Sequence, residues 1–128
     1  MKKMKTINAI IESADLQLVY DNRFLDFPIC LKLAGGGCVC FGGTVLCHAH
    51  DDDGSENYAG KYICKVFDVV GVNSVTNLIG KPVRAIFKKD ARFGDEVIGI
   101  QNFIDNKKYF IPNLEELESI NEKELLKL

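Results

Sequence analysis

The amino-acid sequence predicts an α+β fold: an antiparallel sheet of about six strands, in the order βββ-α-βββ-α, with two helices packed on one face. Three observations lead to this prediction. Apolar residues alternate with period two before residue 50, recur at helical spacing over residues 59–70, and alternate again beyond residue 81. The runs are joined by short links, so we expect a single domain over residues 1–128, with residues 1–5 loose.

The first part of the chain predicts three strands. The first of them alternates in two halves whose phase slips near Glu12 and Ser13, which indicates a β-bulge. Three consecutive glycines at residues 35–37 predict a tight turn before the third strand. The predicted strands cover residues 6–20, 26–33 and 39–49.

The clearest periodicity in the chain predicts a helix that packs on the sheet. Apolar residues recur at i, i+3 and i+4 from Ala59 to Val70, and Gly71 provides the left-handed residue that ends many helices. Ser74 is placed to cap a short helical turn that ends at Gly80.

Three further strands and a second helix complete the pattern. Asp105 and Asn106 tolerate positive φ, which predicts a two-residue hairpin turn. Asn113 and, three residues later, Glu116 match a capping box and predict the start of the last helix. The three strands are predicted over residues 81–88, 96–104 and 107–111.

The segment 34–50 is rich in glycine and contains the run Phe41, Gly42 and Gly43. Because glycine weakens a strand, this density indicates either a tight reversal or a close approach of the backbone to another group. Exposed backbone amides beside an aromatic ring hold a phosphate and stack a base. These three residues are therefore candidate ligand-binding residues, and the alternative is a β-bulge with Phe41 in the core.

Three cationic or amide side chains extend this candidate site. Arg84 interrupts an apolar strand, and arginine binds phosphate with two parallel hydrogen bonds; the alternative is a salt bridge at the edge of the sheet. Arg23, in a predicted turn, is a second candidate for phosphate. Asn102 is placed to read a base edge, with a structural role as the alternative, and the neighbouring Phe103 is a candidate for stacking on adenine.

The cysteines and histidines of the glycine-rich segment are residue types that bind zinc: Cys38, Cys40, Cys47, His48 and His50. In an extended strand, however, Cys40 and His48 would lie about 26 Å apart, at roughly 3.3 Å per residue. Cysteine also serves as a small apolar side chain on a strand face. Cys47 and His48 would point to opposite faces, which disfavours a catalytic dyad. We therefore predict no catalytic residue, no metal and no cofactor.

Charge and composition exclude several classes of protein. A formal net charge of −2 does not provide the clustered positive charge that binds polymeric nucleic acid. No apolar run approaches the roughly 18 residues of a membrane span. The odd number of cysteines, five, and the lack of an export signal favour reduced thiols and a cytoplasmic location.

Several short motifs resemble those of the first family of phage Thoeris anti-defence proteins, the nucleotide "sponges". The likeness spans about residues 7–112. Two positions depart from the family pattern, because Gln101 and Asn102 stand where Gly-His or Gly-Asn is expected and Tyr109 stands where Trp is expected. The motifs are Phe41-Gly42-Gly43, the helix end over residues 66–72, and the segments 77–84, 97–104 and 108–110.

The resemblance implies a non-enzymatic α+β protein that forms a homo-oligomer and sequesters a cyclic ADP-ribose isomer made by host TIR-domain proteins. Such a ligand is bound uncleaved at a subunit interface, and some members also bind cyclic oligonucleotides. Carried over by position, the motifs imply roles for Phe41, Gly42, Gly43, Arg84 and Asn102. A phage-encoded member would act in the host cytosol. The alternatives are a protein–protein inhibitor of a host defence complex and a small Cys/His metal protein.

Overall fold

The computed structural model describes residues 4–21, 23–42, 45–48, 56–91 and 96–112, and the predicted last helix, from Asn113 onward, lies outside them. The described chain forms nine strands, one α-helix and one 3-10 helix. The strands are β1 (Met4–Ala14), β2 (Gln17–Val19), β3 (Phe24–Asp26), β4 (Ile29–Leu33), β5 (Cys38–Phe41), β6 (Val45–His48), β7 (Pro82–Lys88), β8 (Gly99–Asn102) and β9 (Tyr109–Phe110); the helices are α1 (Glu56–Val70) and the 3-10 helix Thr76–Leu78.

The strands form two antiparallel sheets. Six of them lie in the spatial order β5-β4-β1-β7-β8-β9, which confirms the predicted α+β class and its six-stranded antiparallel sheet. The other three form a separate sheet in the order β2-β3-β6. This second sheet is a departure from the prediction of one sheet. It arises because the predicted strands over residues 6–20 and 39–49 are each divided in two, and because the chain passes from one sheet to the other between β3 and β4.

The start of the predicted strand over residues 26–33 shows how the chain passes between the sheets at one point. The Asp26 carboxylate accepts a hydrogen bond from the backbone amide of Phe27 at 2.9 Å, and Pro28 has no amide hydrogen to donate to a ladder. The chain therefore leaves one sheet after β3 and enters the other at β4. The predicted bulge in the first strand is confirmed, as a register shift between Ile11 and Ser13.

One face of the six-stranded sheet packs against α1 and forms the core. Ile11, Leu31 and Ile100 of the sheet and Val66 of the helix are completely buried. Burial of each such side chain contributes about 1.5–3 kcal/mol. The helix ends as predicted at Gly71, whose φ is +86° and whose amide donates to the Phe67 carbonyl at 2.8 Å.

The turn between β8 and β9 is longer than predicted. The backbone amide of Asn102 donates to the Lys108 carbonyl at 2.8 Å, which leaves residues 103–107 as the loop, so the expected two-residue turn was wrong. The Asn102 side-chain oxygen accepts hydrogen bonds from the amides of Ile104 at 2.9 Å and Asp105 at 2.8 Å. These bonds from the strand end favour the wider loop.

The other face of the six-stranded sheet, called here the open face, carries Ile10, Lys32, Cys40, Arg84 and Tyr109. Ile10 is 52% exposed and Tyr109 is 37% exposed. The loop 103–107 folds towards this face, because the Gln101 side-chain amide on it donates to the Asn106 carbonyl at 3.0 Å. The open face therefore combines accessible apolar and cationic side chains on a single sheet.

Candidate ligand-binding groove

The Phe41 side chain lies in the core, as the alternative interpretation of its segment has it. The ring is 2% exposed and stacks on Tyr62, with 5.9 Å between ring centroids and 14° between planes. Phe110 meets it edge-on at 6.4 Å. Because the ring is almost completely buried among these side chains, Phe41 offers no accessible ring surface for the predicted stacking of a base.

The need for glycine at position 42 is explained by the close approach of its backbone to other residues of the same protein. It has a φ of +82°, and a Cβ atom at this position would lie 2.6 Å from the Phe27 carbonyl oxygen and 3.3 Å from the Tyr62 hydroxyl. A side chain is therefore excluded by both conformation and space. Gly43, the third of these candidate ligand-binding residues, lies outside the described residues.

Arg84 and Phe103, two of the predicted site residues, are brought together on the open face. The Arg84 Cζ atom lies 6.0 Å from the centroid of the Phe103 ring, a cation–π contact. The Arg84 Nε atom is buried and has no hydrogen-bond partner among the described residues. An unsatisfied buried donor costs about 1–3 kcal/mol, so this nitrogen favours an acceptor that the described residues do not supply.

A groove of about 350 Å³ is bordered by the Phe103 ring of this pair, whereas Arg84 does not line it. Its volume falls within the range of about 300–1,000 Å³ that is typical of small-molecule sites. Phe103, 36% exposed, forms one wall, and the groove also has an apolar side, an amide and a cation. Its lining includes Asn8, Ile10, Lys32, Pro82 and Phe103.

Lys32 and Asn8 are groove residues that sequence reasoning missed. In β4, Lys32 is the exposed residue between the inward-facing Leu31 and Leu33. The alternation of apolar and polar residues is therefore enough to predict that its side chain points outward. The residues that lie beside Lys32 on the adjacent strands could not be predicted from the sequence. They follow from the placement of β1 between β4 and β7, which brings Asn8 opposite Arg84.

The Asn102 side chain is engaged in the fold. Its Nδ2 atom donates to the Val69 carbonyl in α1 at 2.8 Å, and its Oδ1 atom accepts the two loop amides described above. Both lone pairs of that oxygen are thereby used. This geometry matches the structural alternative for Asn102.

Arg23 lies in the exposed turn between β2 and β3, in the three-stranded sheet. Its backbone amide donates to the Val19 carbonyl at 3.2 Å and to the Tyr20 carbonyl at 3.3 Å. The structure thus places Arg23 and Arg84 in different sheets, and a role for Arg23 in binding phosphate stays a prediction.

A second groove, of about 430 Å³, lies near the end of α1. It is lined by Gly71, Val72, Asn73, Asn77 and Lys81. One cation is present, but the lining contains no aromatic ring for stacking. The groove beside Phe103 therefore offers the more complete combination for an anionic, flat ligand.

The cysteines and histidine of the metal alternative are divided between the sheets. Cys38 and Cys40 lie in β5, whereas Cys47 and His48 lie in β6 of the other sheet. His50 lies outside the described residues. Within the described ranges, no group of three or more histidine, cysteine or acidic side chains has a metal-binding arrangement.

Two further findings concern membrane-spanning helices and similarity to known proteins. Among the described helices, none has the length and apolar character needed to cross a membrane. No protein-family model, curated protein or solved structure matches the chain. Function is therefore inferred from the groove and its side chains.

Proposed function

We propose that this protein is a non-enzymatic sponge that binds a small cyclic nucleotide, of the cyclic ADP-ribose isomer class, in the groove beside Phe103. The observation that carries the proposal is the buried Nε of Arg84, which has no partner in the described part of the chain and lies next to an accessible aromatic ring. A phosphate oxygen would satisfy the arginine, and a base would stack on the ring. The resemblance to Thoeris anti-defence proteins provides the ligand class.

The cations near the groove support an anionic ligand. Lys32 lines the groove and is exposed, and Arg84 lies behind the Phe103 ring on the same face of the sheet. Arginine presents a planar fork to phosphate, whereas lysine provides a compact charge on a flexible stem. The two side chains together suit a ligand with more than one phosphate.

The apolar groups support a flat ring. A base stacked on an aromatic side chain contributes about 1–3 kcal/mol. Ile10, 52% exposed, lines the same groove and offers a surface to the ribose carbons. Ile104 in the adjoining loop is 89% exposed, so a second copy of the chain would find apolar surface beside the ligand, in agreement with the proposed homo-oligomer.

The thiols on the open face are poorly suited to nucleophilic attack on a bound ligand. Hydrogen bonding with Cys30, together with partial burial, raises the pKa of Cys40 to about 11. A hydrogen bond to the Glu12 carboxylate raises the pKa of Cys38. Because the thiolate is the nucleophile, both thiols are poor nucleophiles near neutral pH. Sequestration requires tight binding alone, of nanomolar affinity or about −12 kcal/mol.

Calorimetric titration with cyclic ADP-ribose isomers tests the proposal. We expect nanomolar binding, and recovery of the intact ligand when the complex is heated. The Arg84→Ala variant should bind about 10- to 100-fold more weakly, because it loses a charge-assisted hydrogen bond. Lys88→Ala, which removes an exposed cation from the same strand, should bind normally. Affinity weaker than micromolar, or a cleaved ligand, would contradict the proposal.

The alternative function is that of a protein–protein inhibitor of a host defence complex. It is favoured by exposed apolar side chains outside the groove, such as Tyr20, which is 72% exposed, and by two edge strands, β5 and β9. Sheet edges bind partner strands through main-chain hydrogen bonds. Co-purification of one host protein in equal amount, with no small molecule released on heating, would favour this alternative.

A further inference from the structure

Two cysteines on the open face lie directly opposite each other. Cys30 in β4 pairs with Cys40 in β5, and their sulfur atoms are 3.0 Å apart. Both are free thiols in this structure; Cys40 is exposed and Cys30 is half-buried. The sequence alone separates them by a glycine-rich turn, so only the strand register shows that they meet.

The register also places this pair at the type of site that a cross-strand disulfide requires. The amide of Leu33 donates to the Gly37 carbonyl at 2.9 Å, which makes Leu33 and Gly37 a hydrogen-bonded pair. Hydrogen-bonded and non-hydrogen-bonded pairs alternate along an antiparallel ladder, so Cys30 and Cys40 form a non-hydrogen-bonded pair. Such pairs have Cα atoms about 4.5 Å apart, within the range of about 4.4–6.8 Å found in disulfides.

We propose that Cys30 and Cys40 are a thiol-modification site, which forms a reversible cross-strand disulfide by exchange with a low-molecular-weight disulfide such as oxidised glutathione. Cys30 gives up its proton first, since the raised pKa of Cys40 makes that thiol the poorer nucleophile, and the Cys30 sulfur attacks the reagent, expelling one glutathione thiolate that takes up the proton. The second cysteine then loses its proton and attacks the protein sulfur of the mixed disulfide, expelling the second glutathione. The two protein thiols lose two electrons in total, and the reagent disulfide gains them.

A third cysteine on the same face does not compete for this bond. Cys38 lies opposite Lys32, two residues from Cys40, and is therefore diagonal to Cys30. Diagonal positions have Cα atoms about 7–8 Å apart, beyond the reach of a disulfide without backbone movement. The Cys38 thiol also donates to the carboxylate of Glu12 at 3.4 Å; Glu12 lies in β1, on the far side of β4 from β5. It provides a matched control with the same exposure and strand.

The disulfide would link the edge strand β5 covalently to β4. β5 is the outermost strand next to β4, and the turn that joins them contains three glycines with positive φ, Gly35, Gly36 and Gly37. Such glycines leave the reduced, unfolded chain especially free. A cross-link between the two strands restricts that freedom, so the oxidised protein should have a higher Tm than the reduced protein.

Mass spectrometry after incubation with oxidised glutathione at alkaline pH, where the Cys40 thiol forms more thiolate than at neutral pH, tests the proposal. Trypsin cleaves after Lys32, between the two cysteines, so the bond would join the peptide 24–32 to the peptide 33–61. We expect this joined pair in the wild type and in Cys38→Ser. Cys40→Ser should lack it and should retain a glutathione adduct on Cys30. Reductant should reverse the cross-link and lower the Tm again.

Circular dichroism confirms that each variant is folded before oxidation. The proposal is overturned if the folded wild type keeps all its thiols, or if the joined peptides persist in Cys40→Ser. It is also overturned if Cys38→Ser abolishes the bond. The ligand-binding proposal does not depend on these outcomes, because Cys30 and Cys40 do not line the groove.

Discussion

The side-chain amide of Asn102, at the end of β8, donates to the carbonyl of Val69 in α1 at 2.8 Å. The next residue along the strand, Phe103, lies on the opposite side, against Arg84. On the open face, Gln101 holds the same loop through the Asn106 carbonyl. The loop 103–107 is thus anchored from both faces of the sheet, and this fixes the ring that borders the groove.

Replacing Asn102 with Ala should destabilise the protein by about 2 kcal/mol or more. The change removes the bond to Val69 and leaves the amides of Ile104 and Asp105 without their acceptor. Urea unfolding measures the loss. Asn102→Asp is the matched variant, because it keeps the acceptor for the loop amides but removes the donor to Val69. Its free energy of unfolding should lie between that of the wild type and that of Asn102→Ala. Unfolding free energies equal to that of the wild type would show that the anchor contributes nothing.

Phe103 should matter for ligand binding and little for stability. Its ring is 36% exposed, and Phe103→Ala removes the stacking surface, so we expect affinity for the cyclic nucleotide to fall by about 1–3 kcal/mol, or roughly 5- to 150-fold. Phe103→Tyr keeps the ring and should bind as the wild type does. Calorimetry on both variants measures the effect. Equal affinity of Phe103→Ala and the wild type would place the ligand elsewhere.

Gly42→Ala should be more damaging than Gly36→Ala, although both glycines have positive φ, +82° and +108°. At Gly36 an added Cβ meets nothing within 4 Å, so only the conformational cost of about 1–2 kcal/mol applies. At Gly42 the Cβ would lie 2.6 Å from the Phe27 carbonyl oxygen, and the backbone must move. Thermal unfolding compares the two variants. Equal losses would mean that close packing at Gly42 adds nothing to its φ requirement.

The sequence predicted the regular parts of the fold because local signals suffice there. The helical spacing up to Val70 and the left-handed Gly71 define α1, and the phase slip at Glu12 and Ser13 marks the bulge. The division into two sheets depends on a corner at Phe27, where one side-chain bond and a proline end a strand. No apolar periodicity reveals such a corner, because the residues on either side keep the alternation.

The site was predictable only in part. Arg84 and Phe103 were identified from residue type, and the structure brings them together. Phe41 has the same chemistry as Phe103, but the register with β4 directs it into the core beside Tyr62. Lys32 joins the groove because β1 separates β4 from β7, an order of strands set by long-range pairing. Residue type alone therefore could not distinguish a ring that lies at the surface from a ring that packs in the core.

Stability should fall as the pH rises from about 9 towards 11. Hydrogen bonding with Cys30 raises the pKa of Cys40 from 9.0 to about 11, helped by partial burial and by Cys38. A thiol whose pKa is raised by folding stabilises the native state while it is protonated. That contribution is complete below the unfolded pKa and is lost as the pH approaches the folded one. Urea unfolding under reducing conditions at pH 8, 9, 10 and 11 measures it. Cys40→Ser removes the titrating group, so its unfolding free energy should fall less over this interval, and a fall equal to that of the wild type would assign the pH dependence to other groups.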